Sequence, residues 1–224
     1  MSALPLADTL DPTTLRDDTA ARHRAKYENR NLIHRATLGR FQAALGAMID
    51  DAAPRDVLEF GCGEGFLARA LLAQGTSLPG YHGIDLREEA IEEARGINPG
   101  LRFDAVDVFD ASLDEARPDL LLASQVLEHL YEPDRYLARL AQIAGRTLIL
   151  TVPHEPWFRL MNLARGRDVA RLGNHPEHVN HWSPRSFAAT ARRHARVTRV
   201  RAVFPFVLLR AEVPPRPAQS GANG

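Results

Sequence analysis

Between residues 59 and 65 the chain reads Glu-Phe-Gly-Cys-Gly-Glu-Gly, and Asp85 stands twenty residues beyond Gly65. Glycines at 61, 63 and 65 let the backbone bend sharply and let a ligand approach it without meeting a Cβ. Asp85 closes the short apolar stretch Tyr81-His82-Gly83-Ile84, the position where an open parallel sheet meets a ribose hydroxyl pair. Together these residues describe a pocket for a nucleoside-containing cofactor. Farther along stand Asp107-Val108, Ser124-Gln125 and Glu128-His129, then His154, Trp157, His178, His181 and Trp182. Imidazoles titrate near neutrality and act as proton acceptors, so the last group reads as a place where a hydroxyl is deprotonated beside aromatic walls.

The turn selects the cofactor. A dinucleotide site wants G-x-G-x-x-G, but here the third glycine arrives one residue early and Phe66 takes its place. Glu59 would repel a diphosphate and would suit a ligand carrying an ammonium and a sulfonium, which is S-adenosylmethionine. An acid followed by G-x-G-x-G resembles the first motif of class I methyltransferases. Val126-Leu127-Glu128-His129-Leu130 resembles the V-L-E-H-L signature of the branch that contains ubiquinone O-methyltransferases. The likeness covers roughly residues 55–152.

That resemblance implies a doubly wound, seven-stranded, mostly parallel sheet ending in an antiparallel hairpin. It places Gly61, Cys62, Gly63 and Gly65 against the cofactor, and the ribose diol at Asp85-Leu86. Asp107 would bond the adenine amine, with the Val108 N–H at a ring nitrogen; Ser124 and Gln125 would close the methionine end. Tyr27 would serve as a lid.

The acceptor site is expected in residues 154–183, which the common scaffold does not explain. Five of the nine histidines lie between 129 and 181, four of them from 154 onward, a density that argues for a role in catalysis or acceptor binding. His154 directly follows an apolar strand and is the expected base, with His178 and His181 as the other catalytic candidates. His129, Trp157 and Trp182 are the expected acceptor contacts. A loop with Asn162 and Gly173-Asn174-His175 resembles bacterial members associated with glycan or secondary-metabolite pathways.

Two other readings use the same residues. Glu128-His129 with His178 resembles the cation site of plant-type small-RNA 2′-O-methyltransferases, whose pattern is E-x-x-E-H; here Gln125 replaces the first glutamate. No resident metal is therefore expected; one present would sit on Glu128, His129 and His178, and the chain would methylate a diol or an RNA 2′-hydroxyl. The other reading is a non-catalytic cofactor-binding or scaffolding protein.

The elements that hold these residues are legible as periodicities. Leu38, Phe41, Leu45 and Met48 recur at helical spacing between His34 and Asp50; helices follow the glycine turn, residues 87–95 (closed by Gly96) and Pro133 (closed by Gly145). Apolar runs at Leu101–Ala105, Asp119–Ser124 and Thr147–Val152 read as buried strands, the last ended by Pro153. A helix over Pro184–His194 precedes two strands, Val197–Val203 and Phe206–Val213, too closely joined to be anything but a hairpin.

Residues 1–20 are expected to be flexible, 21–213 to form one methyltransferase domain, and 214–224 to be a disordered tail. Net charge is zero over 224 residues, so no global field attracts nucleic acid, and a small-molecule acceptor is the expected partner. The one cysteine, Cys62, excludes an intrachain disulfide. No apolar run reaches membrane-spanning length and no secretory core opens the chain, so a cytoplasmic protein with no membrane partner is expected. No motif sets an oligomeric state.

Overall fold

Apolar runs become buried strands, and their alternation decides which side chain goes to which face. The computed structural model describes residues 32–154 and 179–214. Expectations placed on Tyr27, Trp157, His178, the N-terminal twenty residues and the tail beyond 214 lie outside the described residues. In chain order the first half runs α1 (Leu32–Ala52), β1 (Val57–Phe60), α2 (Phe66–Ala73), β2 (His82–Asp85), α3 (Glu88–Ile97) and β3 (Arg102–Ala105). It continues through β4 (Leu120–Ser124), α4 (Pro133–Ile143), β5 (Thr147–Pro153), α5 (Pro184–Ala191), β6 (Arg196–Val203) and β7 (Phe206–Glu212).

These strands form one sheet in the order β3-β2-β1-β4-β5-β7-β6, parallel except for β7, which runs antiparallel to both β5 and β6. Within β4, Leu120 and Leu122 join the cluster under α1, α2 and α3, while Leu121 and Ala123 join the cluster under α4 and α5. That period of two is what a sheet covered on both faces requires. At the N-terminal strand ends, Arg55 grips both Asp119 carboxylate oxygens at 2.8 Å and ties β1 to β4. The guanidinium holds the Asp119 carboxyl well below the usual carboxylate range.

The connections leave β1 in opposite directions: β2 and β3 lie on one side, β4 and β5 on the other. Ligands of open α/β sheets bind at the C-terminal edge of such a switch point. Phe60, Asp85, Ser124 and Pro153 all end strands there.

Several strand ends move by one residue from the sequence expectation, and four boundaries differ in a way that has a structural account. Helix α1 runs past both ends of the expected 34–50 span. Gly96 lies inside α3, which continues to Ile97 and ends at Asn98, whose N–H still donates to Ala94 O at 3.0 Å. Helix α5 stops at Ala191 rather than His194, and a hydrogen-bonded turn carries the chain into β6. Pro153 is the last residue of β5, paired with Phe206, rather than the residue that ends it. Successive amides face opposite neighbours; His154 N–H donates to Pro205 O, so the Pro153 nitrogen faces the β4 side, where the ladder has ended at Ser124–Thr151.

Candidate functional site

The bend after β1 is built from backbone. Gly61, Gly63 and Gly65 have φ of 69°, 52° and 72°, in the left-handed region that side-chain-bearing residues avoid. A Cβ on Gly61 would lie 2.5 Å from Val126 Cγ2, and one on Gly65 would lie 2.7 Å from Asn98 Nδ2. Gly61 N–H and Cys62 N–H both donate to Ile84 O, at 2.8 and 3.1 Å, which fastens the bend to β2. Gly65 opens α2, and its carbonyl accepts from Asn98 Nδ2 at 3.2 Å.

Asp85 meets this bend directly. Its Oδ2 accepts the Gly63 N–H at 3.0 Å, and its Oδ1 accepts the Arg87 N–H at 3.0 Å and Nε–H at 3.3 Å. Arg87 also donates through Nη1 to Glu64 Oε1 at 3.2 Å. The sequence motif marks Asp85 but gives no sign of Arg87 or Glu64. Leu86, next in the chain, is 64% exposed and offers an apolar side chain at the rim.

Glu59 and Cys62 face inward instead. Strand alternation sends Glu59 below the bend, where it is 2% exposed and accepts from the Tyr81 hydroxyl at 2.5 Å. Among the described residues, its observed side-chain partner is Tyr81. Burial raises the Glu59 carboxyl to about 7, against a smaller opposing pull from the Tyr81 hydrogen bond. Burial also pushes the Cys62 thiol far up, so it packs as a small apolar group, its Sγ 3.6 Å from Gly63 O.

After β3, the Asp107 carboxylate accepts the Phe109 N–H at 2.9 Å, the local turn that aspartate forms with its own backbone. Val108 is buried, and Arg139 on α4 holds its carbonyl at 2.7 Å and that of Asp110 at 2.9 Å. Arg139 interrupts the apolar stripe of α4, the one sequence signal that could have marked it.

At the end of β4, Ser124 Oγ lies 2.9 Å from Thr151 Oγ1. Gln125, at a φ of 59°, donates its amide N–H to Thr151 O at 3.0 Å and its side-chain Nε2 to Thr151 Oγ1 at 3.2 Å. A left-handed non-glycine residue costs of the order of 1–3 kcal/mol, and here both hydrogen bonds to β5 compensate. Glu128 and His129 form a short 3-10 turn, with His129 Nε2 4.0 Å from Glu128 Oε1. Asn180 ties the returning chain to that turn through Nδ2, to Leu127 O at 3.2 Å and Leu130 O at 2.5 Å.

The acceptor candidates differ in environment. His154 is partly buried at the end of β5, and desolvation lowers its pKa below the ordinary histidine value. His181 is exposed beside the Asn180 tie. Trp182 is 8% exposed and packs against Phe187 with ring centroids 5.5 Å apart, so it is a core residue and not an open wall. No group of three metal-ligating side chains converges among the described residues. No helix among them is long and apolar enough to cross a membrane.

The methyltransferase-domain family matches residues 21–194. A trans-aconitate 2-methyltransferase from Methylobacterium nodulans is 37% identical over 138 residues, 58% of this chain and 52% of its own length. A ubiquinone biosynthesis O-methyltransferase from Bordetella avium is 30% identical over 149 residues, 62% of this chain and 60% of its own. The chain thus spans between half and two thirds of the length of these relatives. Magnesium protoporphyrin IX methyltransferase from Synechocystis, solved with bound SAH, superposes with a TM-score of 0.67 at 20% identity, covering 91% of this chain and 100% of that one. The methyltransferase domain of bacterial CtHen1 superposes with a TM-score of 0.60 at 18% identity, covering 79% and 100%. At these identities the likeness is one of fold.

Two outcomes follow from the geometry. Gly61→Ala places a methyl against Val126 at a positive φ, and should cost about 1–3 kcal/mol in a urea titration while weakening S-adenosylhomocysteine binding. Wild-type stability and affinity in that variant would show that the bend tolerates a side chain. Glu59 has a native pKa near 7, above its unfolded value of 4.5, so burial costs nothing below pH 4.5 and costs most above pH 7. Glu59→Gln should therefore gain roughly 3 kcal/mol on the wild type between pH 4.5 and 8 in cofactor-free unfolding; parallel pH profiles would contradict a buried, titrating Glu59.

Proposed function

The chain belongs to the methyltransferase-domain family of S-adenosylmethionine-dependent methyltransferases, with S-adenosylmethionine as its cofactor, and on that premise we propose methyl transfer to a hydroxyl of a small-molecule acceptor. The observation that carries the cofactor assignment is the 3.0 Å bond between the bare-backbone bend and the strand-end carboxylate, Gly63 N–H to Asp85 Oδ2. A side chain at Gly61 would collide with Val126 and distort the bend. The exposed Leu86 offers the adenine an apolar surface, and Asp107-Val108 offers its edge an acid and a backbone amide. Ser124 and Gln125, anchored on Thr151, close the methionine end.

When bound, S-adenosylmethionine supplies an electrophilic methyl group on a sulfonium. The protein must then align the acceptor oxygen behind that carbon and remove the hydroxyl proton. His154 suits the proton removal, because its lowered pKa keeps the imidazole neutral and able to take a proton at pH 7. His181 and, beyond the described residues, His178 remain candidates for the same role. Relatives named for trans-aconitate and for ubiquinone biosynthesis O-methylation support a small acceptor and oxygen as the receiving atom. A metal-assisted reaction on a diol or an RNA 2′-hydroxyl has weaker support. Gln125 stands in place of a carboxylate and spends its amide on Thr151, and the chain carries no net positive charge.

The test is tritium transfer from labelled S-adenosylmethionine to a panel of hydroxylated small molecules. Turnover should fall as pH drops through a midpoint below 6.5, because the base must be unprotonated. His154→Ala should lose about 10²–10⁴-fold in turnover while keeping wild-type affinity for S-adenosylhomocysteine. Full activity in that variant would remove His154 from the role, and absence of turnover on every acceptor would favour a non-catalytic binding protein.

A further inference from the structure

Three carboxylates gather around the bend: Glu59 and Glu64, each 2% exposed, and Asp85, whose side chain is 13% exposed. Glu59 is held by Tyr81, while the other two share one cation, Arg87. Arg87 stands at the start of α3, two residues past the end of β2, with its side chain three-quarters covered. Its backbone N–H and Nε–H both go to Asp85 Oδ1, and its Nη1–H reaches Glu64 Oε1. A carboxylate offers about four lone-pair sites. Two on Oδ1 are taken by Arg87 and one on Oδ2 by Gly63, which leaves one site, on Oδ2, for a new hydrogen bond.

We propose that Arg87 is a positioning residue for the cofactor: it fixes the plane of the Asp85 carboxylate so that Oδ2 faces the sugar diol. This rests on the assignment of Asp85 to the ribose. Without the guanidinium, Asp85 keeps only backbone donors and turns about its χ2, and Glu64 keeps a buried charge without the cation that now faces it. The planar fork matters as well as the charge. Arg87 reaches Asp85 through Nε and Glu64 through Nη1, two directions that a single lysine ammonium does not reproduce. The role resembles that of outer residues that orient a ligating side chain without touching what it binds.

A calorimetric double-mutant cycle with S-adenosylhomocysteine as titrant tests this on the full chain. Arg87→Ala should weaken binding about tenfold in the wild-type background and less than twofold in Asp85→Ala, because the effect passes through Asp85. Arg87→Lys, which keeps the charge and is the safer variant for folding, should weaken binding about threefold, again only when Asp85 is present. Equal losses in both backgrounds would mean that Arg87 supports α3 or Glu64 generally, and would overturn the proposal. Wild-type affinity in Arg87→Lys would show that charge alone suffices, which also overturns it. If Asp85→Ala by itself leaves affinity unchanged, the ribose assignment fails, an outcome distinct from additivity in the cycle.

Discussion

A short stretch of backbone with no side chains in the way, Gly61 to Gly65, is the constraint on which the rest of the structure depends. Three left-handed glycines turn β1 into α2 within five residues, and the Gly61, Cys62 and Gly63 amides fasten the turn to β2. The bend is held from two sides. Ile84 O takes two amides at its start, and Asn98 fastens the carbonyl at its end. Because those partners belong to β2 and the end of α3, the sheet and the helix layer must both be in place before the cradle exists. Fold and site are here one object.

Charge is arranged around that bend in layers. The innermost acid, Glu59, is buried and near neutrality in its titration, so it adds little fixed negative charge while paired with Tyr81. The other two acids, Asp85 and Glu64, both pair with Arg87. Two carboxylates against one guanidinium leave the bend net negative, which suits a ligand bearing a sulfonium. At the other side of the switch point, Thr151 serves as a common anchor for Ser124 and Gln125. Strand β5 thus positions both the end of the pocket and His154, the residue that follows Pro153 out of the strand.

Much of this is legible in the sequence because it is written in local signals. Uniform apolar runs mark β4 and β5, helical spacing marks α1 and α4, and a two-residue gap at Phe204-Pro205 requires the hairpin. Glycine spacing and Asp85 mark the cradle. What escapes is set by partners distant in sequence. Arg87 to Glu64 spans 23 positions, Arg139 to Val108 spans 31 and Asn180 to Leu127 spans 53. None of these has a motif; an arginine reads as a solvated face until its partner is known. Glu59 is visible in the motif, but its partner Tyr81, 22 positions on, is not. Trp182 reads from sequence as a wall for the acceptor, and its packing on Phe187 makes it core.

The most direct measurement is a crystal structure of the protein with S-adenosylhomocysteine. The account predicts the homocysteine backbone over Gly61–Gly65, a ribose hydroxyl donating to Asp85 Oδ2, and the sulfur turned toward the end of β5 where His154 stands. A ligand bound elsewhere, or a ribose held by another acid with Asp85 still closed on Gly63 and Arg87 alone, would contradict it.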